Sequence, residues 1–236
     1  IKAYKELLAD KNVSYISIKI STIYSQINTL AYEHTLENLI TRLSSLFDYV
    51  LQLEKEQGIQ KFINLDMEEY KDLSLTVDTF TQTLALPQYK NIRAGIVLQA
   101  YLPDSIHFLT QLQVWAKNRI ETGGSAVKVR IVKGANLEME KTDASLHNWI
   151  QAPYHTKHET DANYIKMVKQ GLCENYIKGL NIGVASHNIF DLSNVILIAK
   201  AKKINGFVDI EMLEGICGNL PTTIQQHGFN LLLYTP

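Results

Sequence analysis

The sequence predicts an α/β fold of the (βα)8 TIM-like barrel type, present as an incomplete barrel with about seven strands. Three observations lead there. Short β-branched runs alternate with longer amphipathic stretches, the glycine motifs of open nucleotide-binding sheets are absent, and polar residues gather at the ends of the strand candidates. No linker rich in Gly, Pro or Ser divides the chain, so residues 1–236 read as one domain.

Taken in order, a helix-like start, IKAYKELLAD, precedes the first strand candidate, VSYISIKIS at 13–21. A long amphipathic segment runs from His34 to Gly58. Its Leu36, Leu39, Leu43, Leu46 and Val50 alternate between spacings of three and four, which makes one buried stripe, and Gly58 stands where a helix C-cap belongs. KFINLDM (61–67) and AGIVLQAYL (94–102) follow as strands, and Pro103 opens the next helix at a first-turn position, where its missing N–H costs little. VKVRIVKGA (127–135), NIGVASHN (181–188), GFVDIEML (206–213) and NLLLYTP (230–236) complete the seven.

Strands joined through helices run parallel, because antiparallel neighbours need only a tight turn, and a parallel sheet must be covered by those helices. An open doubly wound sheet and a closed barrel both satisfy this. The absence of G-x-G-x-x-G and of G-x-x-x-x-G-K-[ST] removes the usual sequence support for the open sheet. Lys19, Asp66, Gln99, Arg130 with Lys133, His187, Glu211 and Tyr234 come from seven different strands, as barrel active sites do. Seven strands do not close a barrel of eight, so an opening strand before residue 1 and a closing helix after Pro236 are expected to be missing.

With 46% apolar and 20% charged residues, the composition excludes a disordered or collagenous chain. Lys and Arg total 23 against 24 Asp and Glu, a net charge of −1 without long blocks of one sign, so no nucleic acid partner is predicted. Cys173 and Cys217 suggest neither a disulfide framework nor a cysteine zinc site. No apolar run is long enough to span a membrane and the start has no signal-peptide layout. The expected location is the cytoplasm, with at most a peripheral contact with a membrane.

Each polar residue at a strand end admits two readings. Lys19 needs an anionic partner or ligand if both faces of its strand are covered, or else it snorkels outward. Asp66 either serves a site or caps a helix, with Glu68 and Glu69 then acting as first-turn acids. Arg130 and Lys133, three apart, point to opposite faces unless the strand has already ended. Arg130 in a barrel mouth suits an anion or an electron-rich ring, with Gly134 allowing close backbone approach; the competing reading is a salt bridge to an acid of a neighbouring strand. His187 reads as a metal ligand or as a satisfied strand-end histidine, and no H-E-x-x-H supports the metal.

The ordered segments YISIKIS, FINLDMEEYKDL, GIVLQAYLPDS, VRIVKGANLEMEK, QAPYHTKHETDANY, ASHN, IEMLEGI and LLLYTP resemble the proline dehydrogenase domain of bifunctional proline utilization A over nearly the whole chain. The resemblance implies a distorted (βα)8 barrel that holds FAD noncovalently, oxidises L-proline to Δ1-pyrroline-5-carboxylate and passes electrons to a quinone, the first step of proline catabolism to glutamate. It also implies that the chain begins after the family's first barrel strand and ends before its last helix. The arginine pair that grips the proline carboxylate from that helix therefore has no counterpart here. A fused aldehyde dehydrogenase domain is implied for the parent chain.

Residue by residue, the resemblance places Lys19 near the substrate carboxylate, Asp66 in the polar network supporting it, and Leu213 and Tyr234 against the proline ring. It puts Arg130 beside N5 of the flavin and Gln99 and His187 on the polar edge of the ring system. Val132, Lys133, Gly134 and Ala135 lie along the cofactor, and Lys157 reaches its adenosine half. No metal site is implied. Two other readings are kept: a barrel using Lys133 or Lys19 for a Schiff base, or Asp66, His187 and Glu211 for a metal; and an inactive fragment that serves as a scaffold or binds flavin weakly.

Overall fold

In the computed structural model, residues 1–216 and 218–235 are described. Cys217, the second cysteine, and Pro236, the end of the seventh strand candidate, lie outside them. The chain forms two compact units, residues 1–97 with 121–125 and residues 98–120 with 126–236.

The first unit carries α1 (Lys2–Ala9), β1 (Tyr15–Lys19), α2 (Ile20–Ile23), α3 (Tyr32–Gln57), β2 (Phe62–Asp66), α4 (Leu73–Ala85) and most of β3 (Ala94–Gln99). β1 pairs with β2 and β2 with β3, all parallel, and the register sets Lys19 opposite Asp66. The predicted stripe is the core of this unit: Leu36, Leu39, Leu43, Leu46 and Val50 of α3 are buried, joined by Phe47 and Leu53. Each such side chain contributes roughly 1.5–3 kcal/mol by leaving water. Gly58 ends α3 in the left-handed conformation, φ 68°, and its N–H donates to the Glu54 carbonyl at 2.8 Å. Tyr89, fully buried, donates its hydroxyl to Asp48 Oδ1 at 2.7 Å, satisfying the one polar atom that its burial takes from water.

The second unit carries α5 (Ser105–Glu121) up to residue 120, β4 (Val127–Val132), α6 (Leu137–His147), α7 (Lys157–Gly171), β5 (Leu180–Ala185), α8 (Ile189–Ala201), β6 (Val208–Leu213), α9 (Leu220–Gln226) and β7 (Asn230–Tyr234). β4 pairs with β5, β5 with β6 and β6 with β7, again all parallel. β4 and β5 are buried along most of their length because both faces are covered, the condition that parallel sheets impose, so the charges of β4 must be matched inside. α7 opens on a capping box, with Thr156 Oγ1 accepting from the Glu159 N–H and the Glu159 carboxylate accepting from the Thr156 N–H.

Two local expectations are corrected. Pro103 lies in the turn two residues ahead of α5, whose first turn is closed by the His107 N–H donating to Asp104 O at 2.9 Å. The strand candidates at 94–102 and 127–135 stop at Gln99 and Val132, so Lys133 lies past the end of β4 and the question of which face it occupies does not arise. Past β3 the chain continues beside β4 for two more residues, with Ala100 N–H donating to Val132 O and Tyr101 N–H to Lys133 O, both at 2.8 Å. Among the described residues, no helix is long and apolar enough to cross a membrane.

Candidate active site

In the first unit, the ends of β1 and β2 assemble a small polar group. Lys19 stands exposed at the end of β1 with its Nζ 3.2 Å from Glu68 Oε1, and the Ser21 hydroxyl donates to the other oxygen of Glu68. Lys19 therefore has an anionic partner. Asp66 ends β2 and accepts from Asn64 Nδ2 at 2.9 Å, and that buried amide also reaches Ser17 Oγ at 3.4 Å. The capping alternative for Asp66 is corrected: α4 opens after Asp72, and Glu68 serves Lys19 and Ser21 instead of a helix first turn.

The second unit holds the remaining candidates. Gln99, 2% exposed, ends β3, and its carbonyl accepts from Ser105 Oγ at 2.6 Å. Arg130 is 7% exposed, with its guanidinium carbon 4.2 Å from the centre of the Tyr234 ring and Nη1 3.5 Å from Glu211 Oε2. Arg130 is thus salt-bridged to an acid two strands away, in place of the neighbouring-strand acid of the competing reading, and its guanidinium stacks on the Tyr234 ring. Lys128, two residues earlier on the same face of β4, lies 2.8 Å from Glu211 Oε1 and 3.2 Å from Asp209 Oδ2.

Beyond β4, Lys133 Nζ donates to Asp161 Oδ1 at 2.6 Å, lies 3.1 Å from Asp191 Oδ2 and stands 5.2 Å from the centre of the Tyr164 ring. Burial pulls its ammonium down, but hydrogen bonds to the two carboxylates outweigh this and raise it above the ordinary lysine value. Burial pushes the Asp161 carboxyl up, while its hydrogen bonds from Lys133 and Lys157 hold it below the usual range. Lys157 is exposed and pairs with Asp161 one turn along α7. Tyr164 is driven well above the ordinary tyrosine value, first by burial and then by the nearby Asp191 charge, so its hydroxyl stays protonated and donates to Ala185 O at 3.0 Å.

Val132 is half-buried, Gly134 and Ala135 are exposed, and Gly134 adopts φ 127°. A side chain at Gly134 is excluded, because a Cβ there would stand 2.5–2.8 Å from Tyr101 ring atoms. His187 accepts from the Leu213 N–H through Nε2 at 3.2 Å, which ties the end of β6 to the loop after β5; Leu213 itself is exposed. Among the described residues, no three His, Cys, Asp or Glu side chains group as metal ligands, and Glu211 is taken by Lys128 and Arg130.

The sequence reading missed Lys128, Asp161, Tyr164 and Asp191. For Lys128 a signal existed. K-x-R on β4 and D-x-E on β6 are both period-two pairs, so each puts two like charges on one face of an inner strand, and each needs the other. Asp161 and Asp191 reach Lys133 from the starts of α7 and α8, a meeting that no local pattern announces.

The family described as Proline dehydrogenase matches residues 2–236. The bifunctional protein PutA of Klebsiella aerogenes is 27% identical over 206 residues, 85% of this chain and 15% of that protein, and the one from Escherichia coli K12 matches at the same identity over 14% of its length. The solved structure of proline utilization A from Corynebacterium freiburgense superimposes with a TM-score of 0.94 at 40% identity, covering 100% of this chain and 24% of that one. Proline utilization A from Bdellovibrio bacteriovorus, inactivated by N-propargylglycine, gives 0.83 at 35% identity over 93% of this chain and 22% of its own. The parallel strands alternating with helices are thus those of a TIM-like α/β barrel domain that occurs within much longer chains. By this match along its whole length, the chain belongs to the proline dehydrogenase family.

Proposed function

We propose that the protein holds FAD and oxidises L-proline to Δ1-pyrroline-5-carboxylate, delivering the electrons to a quinone as the first step of proline catabolism to glutamate. The observation that carries this reading is the buried guanidinium of Arg130 on the inner strand β4, seated on the Tyr234 ring. A buried cation of that kind suits a ring that gains negative charge during reaction.

The residues present fit a flavin. The buried Gln99 amide and the His187 ring offer hydrogen-bonding groups, Arg130 offers a charged donor, and the exposed backbone at Gly134 and Ala135 allows a planar group to approach closely. Val132 and Lys133 complete that stretch, and Lys157 serves the adenosine half. FAD, when bound, supplies the two-electron acceptor for the hydride lost from the carbon next to the proline nitrogen. Arg130 stabilises the charge that develops, already oriented by Glu211 and Tyr234 and so without reorganisation. Lys19 takes the substrate carboxylate, Asp66 orders the polar groups around it, and Leu213 and Tyr234 cover the apolar ring of a small zwitterion.

The Schiff-base reading loses support at Lys133, because an ammonium clasped by two carboxylates stays protonated and is a poor nucleophile. Partners follow from the chemistry: L-proline, a quinone reached through a peripheral contact with the inner membrane from the cytoplasmic side, and a fused aldehyde dehydrogenase domain that consumes the product. The test is the visible spectrum of the purified protein with FAD, followed by L-proline without oxygen. Bleaching of the flavin band is expected; a protein that takes up no flavin overturns the reading.

A further inference from the structure

β4 and β6 do not pair with each other, yet their charged side chains meet across β5. The register sets Arg130 beside Gly183 and Gly183 beside Asp209, so the row that links the two charged strands passes over a residue without a side chain. A Cβ at Gly183 would stand 2.9 Å from the Glu211 carboxyl carbon and 3.4 Å from Arg130 Cα, so any other residue displaces the carboxylate. Glu211 is 1% exposed and Lys128 6%, and burying three charges beside the half-buried Asp209 is costly unless they are matched.

They are matched unequally. Lys128 makes the short contact with Glu211 at 2.8 Å and also reaches Asp209 at 3.2 Å, whereas Arg130 stands at 3.5 Å. A buried carboxylate with a single cation nearby draws that cation into full contact and cancels its charge. With Lys128 as first partner, Glu211 instead steadies Arg130 from one side while the Tyr234 ring steadies it from another. The guanidinium is oriented without being neutralised.

We propose, on the basis of the flavin-dependent reading above, that Lys128, Gly183 and Glu211 are positioning residues for Arg130. Glu211 orients the guanidinium, Lys128 keeps the carboxylate from neutralising it, and Gly183 leaves the space in which the two strands' charges meet. All three act through Arg130 and touch neither substrate nor cofactor in this scheme.

Two variants of the FAD-loaded protein test this. Lys128→Met/Glu211→Met removes one charge of each sign and fills the space with side chains of similar length, leaving net charge unchanged. Gly183→Ala keeps every charge and displaces the carboxylate. Flavin content, midpoint potential without proline, and the rate constant of anaerobic flavin reduction against the Kd for proline are read for each. Positioning predicts flavin retained in at least one variant, a potential shifted negative in whichever retains it, and reduction slowed roughly ten- to a hundredfold while Kd changes less than about threefold. An unshifted potential with an unchanged rate overturns the proposal, as does a slowdown explained by a matching rise in Kd. Loss of flavin from both variants overturns it too, because the charges then serve folding. If proline fails to bleach the unaltered protein, the functional reading falls, while the potentials, measured without proline, still decide whether these residues act on Arg130's setting.

Discussion

At the scale of single residues, charge and space decide what each position tolerates. Arg130→Met keeps an unbranched apolar stem but removes the charge, so flavin reduction by proline should slow about a hundredfold or more in anaerobic stopped-flow, with folding retained by circular dichroism. Lys19 is exposed and its ion pair with Glu68 contributes little to stability. Lys19→Met should therefore leave the melting temperature nearly unchanged while raising the KM for proline by roughly tenfold or more, which steady-state kinetics with a quinone acceptor measures. Gly134→Ala combines a backbone φ of 127° with a clash against the Tyr101 ring. Lower thermal stability and weaker FAD retention are the expected outcome, read by thermal melts and by the flavin-to-protein absorbance ratio. Lys19 was legible in the sequence as a cation needing a partner. Which partner was not, because Glu68 comes from the segment after β2 and is brought near by strand register.

Elements behave differently, since periodic patterns are local and can be read along the chain. The stripe of α3 was visible at once, and Leu46→Ala at its fully buried centre should cost about 2–5 kcal/mol, measured as a lower urea midpoint. The start of α7 is tied down by charge as well. Asp161, held below the ordinary carboxylate value, contributes stability above that value and loses it as pH falls through the depressed one, so the contribution fades in acid below about pH 4. Lys133, raised above the ordinary lysine value, contributes fully below it and loses that contribution as pH rises through the raised one, above about pH 10. The protection factors of α7 amides, corrected for the intrinsic pH dependence of exchange, should fall at both extremes, and Asp161→Asn should remove the acid change and reduce the alkaline one, since Asp191 still holds Lys133. Pro103 shows where local reading fails: it can occupy the first turn or the turn ahead of it, and the capping carbonyl of Asp104 selects the second.

For the molecule as a whole, the alternation of strands and helices sufficed to name a parallel α/β sheet, because parallel pairing and helical cover follow from connection length alone, while the choice of a barrel over an open sheet rested on the absent glycine motifs and the polar strand ends. The candidate site was legible in part. Residues at strand ends could be picked out, and the pairing of K-x-R with D-x-E stood in the sequence unread. The clasp of Asp161 and Asp191 around Lys133 depends on where two helices begin after long excursions, which no window of sequence contains. Within each unit every strand also pairs with the one that precedes it in the chain. During synthesis, therefore, a newly emerged strand finds its partner already outside the ribosome, and the search for it spans one helical crossover. Closing one crossover at a time costs less entropy than pairing strands from distant parts of the chain would, and the unpaired edge that invites aggregation is renewed and covered strand by strand as the nascent chain lengthens.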